Sequence, residues 1–94
     1  MPIAFELSQN YPNPFNPTTV IKFAIPTESK VTVKVFDILG REVAVLANES
    51  FAAGRHNLEF NASGLTSGAY FYTISTEGAD GSKNQAVKKM MLIK

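Results

Sequence analysis

Hydrophobic and polar residues alternate along most of this chain, and a period of two is the pattern of a strand with one buried face. In residues 19–25, Ile21, Phe23 and Ile25 fall on one face while Val20 and Lys22 fall on the other. Pro26 closes that run, and residues 27–30 read as a polar turn. Residues 31–37 are the clearest strand, with Val31, Val33 and Val35 opposed to Thr32, Lys34 and Phe36. Gly40 follows in a position suited to a left-handed turn. Residues 41–47 carry Val43 and Val45 on one side and Leu46 on the other, a slip of parity that predicts a bulge or an edge position. Beyond Gly54, expected at a turn, His56, Leu58 and Phe60 share a face. Gly64 and Gly68 bracket a connection, and Tyr70, Tyr72 and Ile74 share the face of the next strand. Asp80-Gly81 predicts a two-residue hairpin turn into a last strand over residues 85–94.

No segment holds a helical period of about 3.6 over ten residues. Six or seven short strands, with turn signals every eight to twelve residues, predict an all-β fold. At this length the best fit is an immunoglobulin-like antiparallel β-sandwich of about seven short strands.

Residues 10–17 break the alternation. Asn10, Asn13 and Asn16 are interleaved with Pro12, Pro14 and Pro17, around Tyr11 and Phe15. Proline disfavours the α region for the residue before it, and asparagine readily bonds its own backbone in turns. The segment therefore reads as a stiff, extended-and-turning lead-in that cannot join the middle of a sheet. Tyr11 and Phe15 are expected to press onto the sandwich and cover one open end of the core.

Composition changes this picture little. The chain has 94 residues, 45% of them hydrophobic, and a net charge of +1. That size suits one domain with one modest core; residues 1–9 read as its lead-in and 10–94 as the sandwich. Without cysteine there is neither a disulfide framework nor a thiolate zinc site. The dispersed basic residues do not form the stripe expected of a nucleic-acid partner. No apolar run approaches the roughly 18 residues that span a bilayer as a helix. Residues 1–3 lack the layout of a secretory signal.

The candidate chemistry is thin, and no catalytic, cofactor or metal site is expected. His56 is the lone histidine and lies in phase with Leu58 and Phe60, which predicts a structural, partly buried position rather than a catalytic base. Asp80, Gly81 and Ser82 have too few acidic neighbours for a calcium loop. The GxxxG spacing of Gly64 and Gly68 falls in a loop, and two Asn-x-Ser sequons at Asn48 and Asn61 carry little weight. The most suggestive group is Lys88, Lys89, Met90, Met91, Leu92, Ile93 and Lys94. Lysines on a terminal strand discourage aggregation. They also suit a recognition element in which a free strand edge pairs with a partner sheet and its charges steer approach to an acidic surface. Such a free edge also admits strand-exchanged dimers.

The opening block YPNPFNPTTVIKFAIP closely resembles the start of the C-terminal sorting domain of type IX secretion substrates, found in bacteria of the Bacteroidetes and neighbouring phyla. The resemblance continues through VTVKVFDILGREVAVL, AAGRHNLEF, LTSGAYFYTI and KKMMLIK, from Phe5 to Lys94 in the family's order. The proline-asparagine opening and the GLTSGAYFY block are its specific parts, and Tyr11 to Pro17, Gly40, Arg41, Gly54, Gly68 and Tyr70 make up its structural motif. Related immunoglobulin-like domains in flagellar hook-capping proteins share the hairpin that here runs from Val35 to Arg41, with Phe36 where tyrosine is frequent. The resemblance implies a non-enzymatic address tag, exported to the periplasm behind an N-terminal cargo. The outer-membrane translocon recognises it there, and a sortase-like peptidase at the cell surface then removes it. It also implies a domain excised from a larger exported protein. The rival expectation is an immunoglobulin-like assembly or accessory module of a surface or hook-cap protein.

Overall fold

The computed structural model describes residues 4–93. Seven strands follow in order: β1 (Glu6–Leu7), β2 (Thr18–Ile25), β3 (Ser29–Asp37), β4 (Glu42–Phe51), β5 (Gly54–Asn61), β6 (Gly68–Gly78) and β7 (Lys83–Leu92). They form two antiparallel sheets, one ordered β1-β2-β5 and the other β4-β3-β6-β7. The expected sandwich is therefore present, and the period-two faces are the reason. Ile21, Phe23 and Ile25 of one sheet meet Val31, Val33, Val35, Tyr70, Tyr72, Ile74, Met90 and Leu92 of the other, all buried. Each large side chain so buried contributes about 1.5–3 kcal/mol.

One expectation is met in both of its forms, and two need correction. First, the parity slip in β4 is two register shifts against β3, between Val33 and Lys34 and between Val35 and Phe36, on a strand that is also an edge. The extra residues are Leu46 and Val43, which the pairing skips; both pack against the core, whereas Val45 faces solvent. Second, the β6–β7 hairpin turns through residues 79–81 rather than two. Gly78 N–H donates to Ser82 O at 2.7 Å, and Asp80 Oδ1 accepts from Ser82 N–H and Oγ–H. Gly81 takes φ +88°, the left-handed residue that a three-residue turn requires. Third, Tyr11 does not press onto the sandwich; it is 79% exposed, while Phe15 is 2% exposed. Tyr11 is held by its backbone, in a reciprocal pair of 3.0 Å bonds with Val20, so its ring is left in water.

Register places the connections at two poles along a 41 Å long axis. Asp37 lies opposite Tyr70, Gly68 opposite Leu92 and Thr18 opposite Asn61. Residues 13–17, 38–41, 62–67 and 92–93 thus share one pole. Glu6 pairs with Ala24 and salt-bridges Arg55 at 3.3 Å, near the other pole. Gly54 also lies there, opposite Ile25.

Candidate recognition edge

β7 borders the four-stranded sheet, so only one side of its backbone bonds to β6. In an antiparallel ladder residues alternate between bonding the neighbour and facing away. Met91 and Ile93 face away from β6, because their backbone groups bond to the opening segment. By the same alternation Lys83, Gln85 and Val87 face away as well. The same period sets the side chains. Met90 and Leu92 point into the core and are fully buried, whereas Lys89, Met91 and Ile93 are exposed. Lys88, in phase with Met90, is half-buried. Of the seven residues expected to form a recognition patch, two are therefore core and one, Lys94, lies outside the described residues.

The upper part of this edge is occupied, against the expectation of an open chain end. Phe15 N–H donates to Met91 O and Ile93 N–H donates to Phe15 O, both at 3.0 Å. Met91 N–H donates to Asn13 Oδ1 at 3.0 Å, and Gln9 Nε2 donates to Lys89 O at 2.7 Å. The proline-asparagine segment is thus a clasp on β7. The Phe15 side chain anchors it, packing on Phe60 with ring centroids 6.1 Å apart. All three X–Pro bonds of the segment are cis.

Behind the clasp lies a buried polar cluster. Asn10, 2% exposed, donates from its backbone N–H to Tyr72 Oη at 2.8 Å. Its Nδ2 donates to Thr19 Oγ1 at 3.0 Å, and Thr19 Oγ1 donates to Pro12 O at 2.9 Å. Tyr72 Oη in turn donates to Ser8 O at 2.7 Å. Burial pushes the Tyr72 phenol above its ordinary pKa, against the lowering effect of the bond from Asn10, so it stays protonated and donating. One signal was available: Thr19 is in phase with Ile21 and Phe23, so a hydroxyl on the buried face had to find a partner.

At the same pole the β3–β4 turn brings Leu39 and Arg41 near Gly68 and Tyr70, around a cleft. Gly40, at φ +83°, takes the left-handed turn position expected for it. Asp37 Oδ1 accepts from the backbone N–H groups of Leu39 and Arg41 at 2.9 Å, and Asp37 Oδ2 accepts from Arg41 Nε at 2.9 Å. The backbone bond from Arg41 is the largest cause holding the Asp37 carboxyl below its usual pKa. Tyr70 Oη donates to Thr66 O at 2.7 Å, tying down the loop after β5. Ile38 and Leu39 at the turn are left largely exposed. His56 sits at the far side of the sandwich against both the Phe23 and Phe51 rings, which also touch each other, with Nε2 2.8 Å from Ala52 O, a packing role. Among the described residues no cluster of His, Asp and Glu is arranged to hold a metal ion, and no helix is long and apolar enough to cross a membrane.

Two facing antiparallel sheets of three and four strands, closed at one pole by a clasp, define an immunoglobulin-like β-sandwich domain. Solved structures agree on the fold. CopC from Methylosinus trichosporium OB3b superposes with a TM-score of 0.64 at 14% identity, covering 95% of this chain and 93% of its own. The PmoD soluble domain from Methylocystis sp. (Rockwell) gives 0.51 at 15% identity, over 82% of this chain and 73% of its own. No curated protein sequence matches. Residues 9–92 match the family described as the secretion system C-terminal sorting domain, and the chain belongs to that family. It is a sorting domain of type IX secretion, which ties it to export toward the cell surface or the extracellular space.

Proposed function

We propose that this domain is a passive address tag, read by the outer-membrane type IX translocon from the periplasm while fused behind its cargo. It acts by being recognised rather than by catalysis, and a sortase-like surface peptidase removes it after passage. The observation that carries this reading is the meeting of the opening and closing blocks of the family resemblance on one structure. The proline-asparagine segment clasps the basic-apolar strand at Lys89, Met91 and Ile93. A tag must present one fixed surface whatever cargo precedes it, and a clasped edge strand is such a surface. Lys88 and Lys89 supply positive charge beside it, suited to steering an acidic partner.

The test is a fusion of this chain to a periplasm-exported fluorescent reporter, placed in a type IX-competent host and in the same host lacking the translocon. Reporter at the surface of the competent strain alone is the expected result. Retention in the periplasm of a competent strain that still displays its own cargo would overturn the reading.

A further inference from the structure

The clasp covers only half of the β7 edge. Between Lys83 and Val87 the outward backbone groups face away from β6, and among the described residues no strand or clasp lies beyond them. This stretch pairs with β6 in unbroken register, Lys83 opposite Glu77 through Val87 opposite Thr73. The upper half of the same edge already accepts an extended segment, since Phe15 forms a parallel bridge with Leu92. The lower half has the same geometry and lacks an occupant.

We infer that Lys83–Val87 is a strand-addition site for an extended acidic segment of another protein. β7 carries Lys83, Lys88 and Lys89 and no acidic residue, so an incoming strand with alternating carboxylates meets complementary charge on both flanks. A second copy of this chain fits poorly. Pairing β7 with its own kind brings lysines against lysines. The other edge of the sheet, β4, carries Glu42 and Glu49, but its two register shifts spoil a continuous ladder. The inference deepens the sorting reading and rests on it for what the partner is for, though not for how the partner binds.

Gln85→Pro isolates the edge. The Gln85 N–H faces away from β6, so proline removes a donor that the β6–β7 ladder does not use. The probe is a synthetic peptide of about eight residues alternating valine and glutamate, with a valine-lysine counterpart. Amide NMR on the intact chain should show the Gln85 and Val87 resonances moving and gaining exchange protection with the acidic peptide. Binding should weaken at least about tenfold in Gln85→Pro, in the Lys83→Glu/Lys89→Glu double variant, and with the basic peptide. Unmoved amides at millimolar peptide, or equal binding by Gln85→Pro, would overturn the inference. Movement of the same amides with protein concentration alone would assign the edge to a second copy and equally overturn it. Surface export of a Gln85→Pro fusion separates the two readings. If export persists while peptide binding is lost, the edge binds but does not sort, and the address-tag reading stands.

Discussion

β4 and β7 both border the four-stranded sheet, yet they leave their outer backbone groups in different conditions. β4 shifts register twice against β3, and its carboxylate at Glu42 is drawn to Lys34 at 3.3 Å. Bulges of this kind twist an edge away from any incoming strand. β7 keeps register with β6 for all ten of its residues and carries three lysines and no acidic residue. Its protection comes from another part of the chain, the segment of residues 9–15, and extends over only half its length. One edge is blunted by its own irregularity, while the other stays straight and is covered in part. A straight, half-covered edge is the arrangement that retains a place for a partner.

The sharpest way to break this contrast is Phe15→Ala. It empties a site that is 2% exposed and unfastens the clasp, so β7 becomes open along its whole length. Loss of about 3–5 kcal/mol in urea unfolding is expected, together with faster exchange of the Met91 and Ile93 amides. Unchanged exchange at those two amides would show that the clasp holds without its anchor. Tyr72→Phe is next. It removes a hydroxyl that accepts from Asn10 N–H and donates to Ser8 O, leaving both without a partner behind the clasp. A cost of about 1–3 kcal/mol is expected in the same assay; a neutral result would sink the role given to the buried polar cluster.

The β4 end of the contrast is sharpened by pH. Asp37 is held below its ordinary pKa by the turn that leads into β4, so its folded form binds protons less readily than its unfolded form. Its contribution is therefore fully present above the unfolded value of about 3.9 and is lost as pH falls through the lower folded value. Asp80, lowered by Ser82, contributes with the same sign. In Asp37→Asn, stability should fall less between pH 5 and 2 than in the parent chain, by thermal unfolding at matched ionic strength. Parallel curves would show that the turn does not depend on this charge. Tyr11→Ala should do least. The ring is exposed and the backbone pair with Val20 does not need it, so a change within about 0.5 kcal/mol is expected. A larger loss would mean that the ring packs on the sandwich after all.

These cases also mark what the sequence made legible. Strands β2, β3, β5, β6 and β7 could be read directly because period two ties side-chain type to face, and one face of each is core. The glycine turn at Gly40 and the packing role of His56 were legible for similarly local reasons. β1 was not, since two residues carry no period. The clasp was legible as an unusual composition but not as a contact. Nothing in alternating hydrophobicity says that Asn13 will reach Met91, 78 residues away. Tyr11 and Phe15 look equivalent as letters, and only the reciprocal backbone pair at Tyr11 and the pocket beside Phe60 tell them apart. Residues 88–94 likewise read as one block in composition, whereas strand alternation puts Met90 and Leu92 in the hydrophobic interior.

The span of the clasp bears on the order of events during folding. Phe15 and Leu92 stand near opposite ends of the described chain, so their meeting closes a loop that contains nearly every strand. The entropy of closing so long a loop is recovered only once the intervening hairpins have shortened the path between its ends. The half-covered edge is accordingly a property of the finished domain. A chain with β6 and β7 paired but residues 9–15 not yet seated would leave β7 bare along its whole outer side, so the seated clasp marks the completed fold.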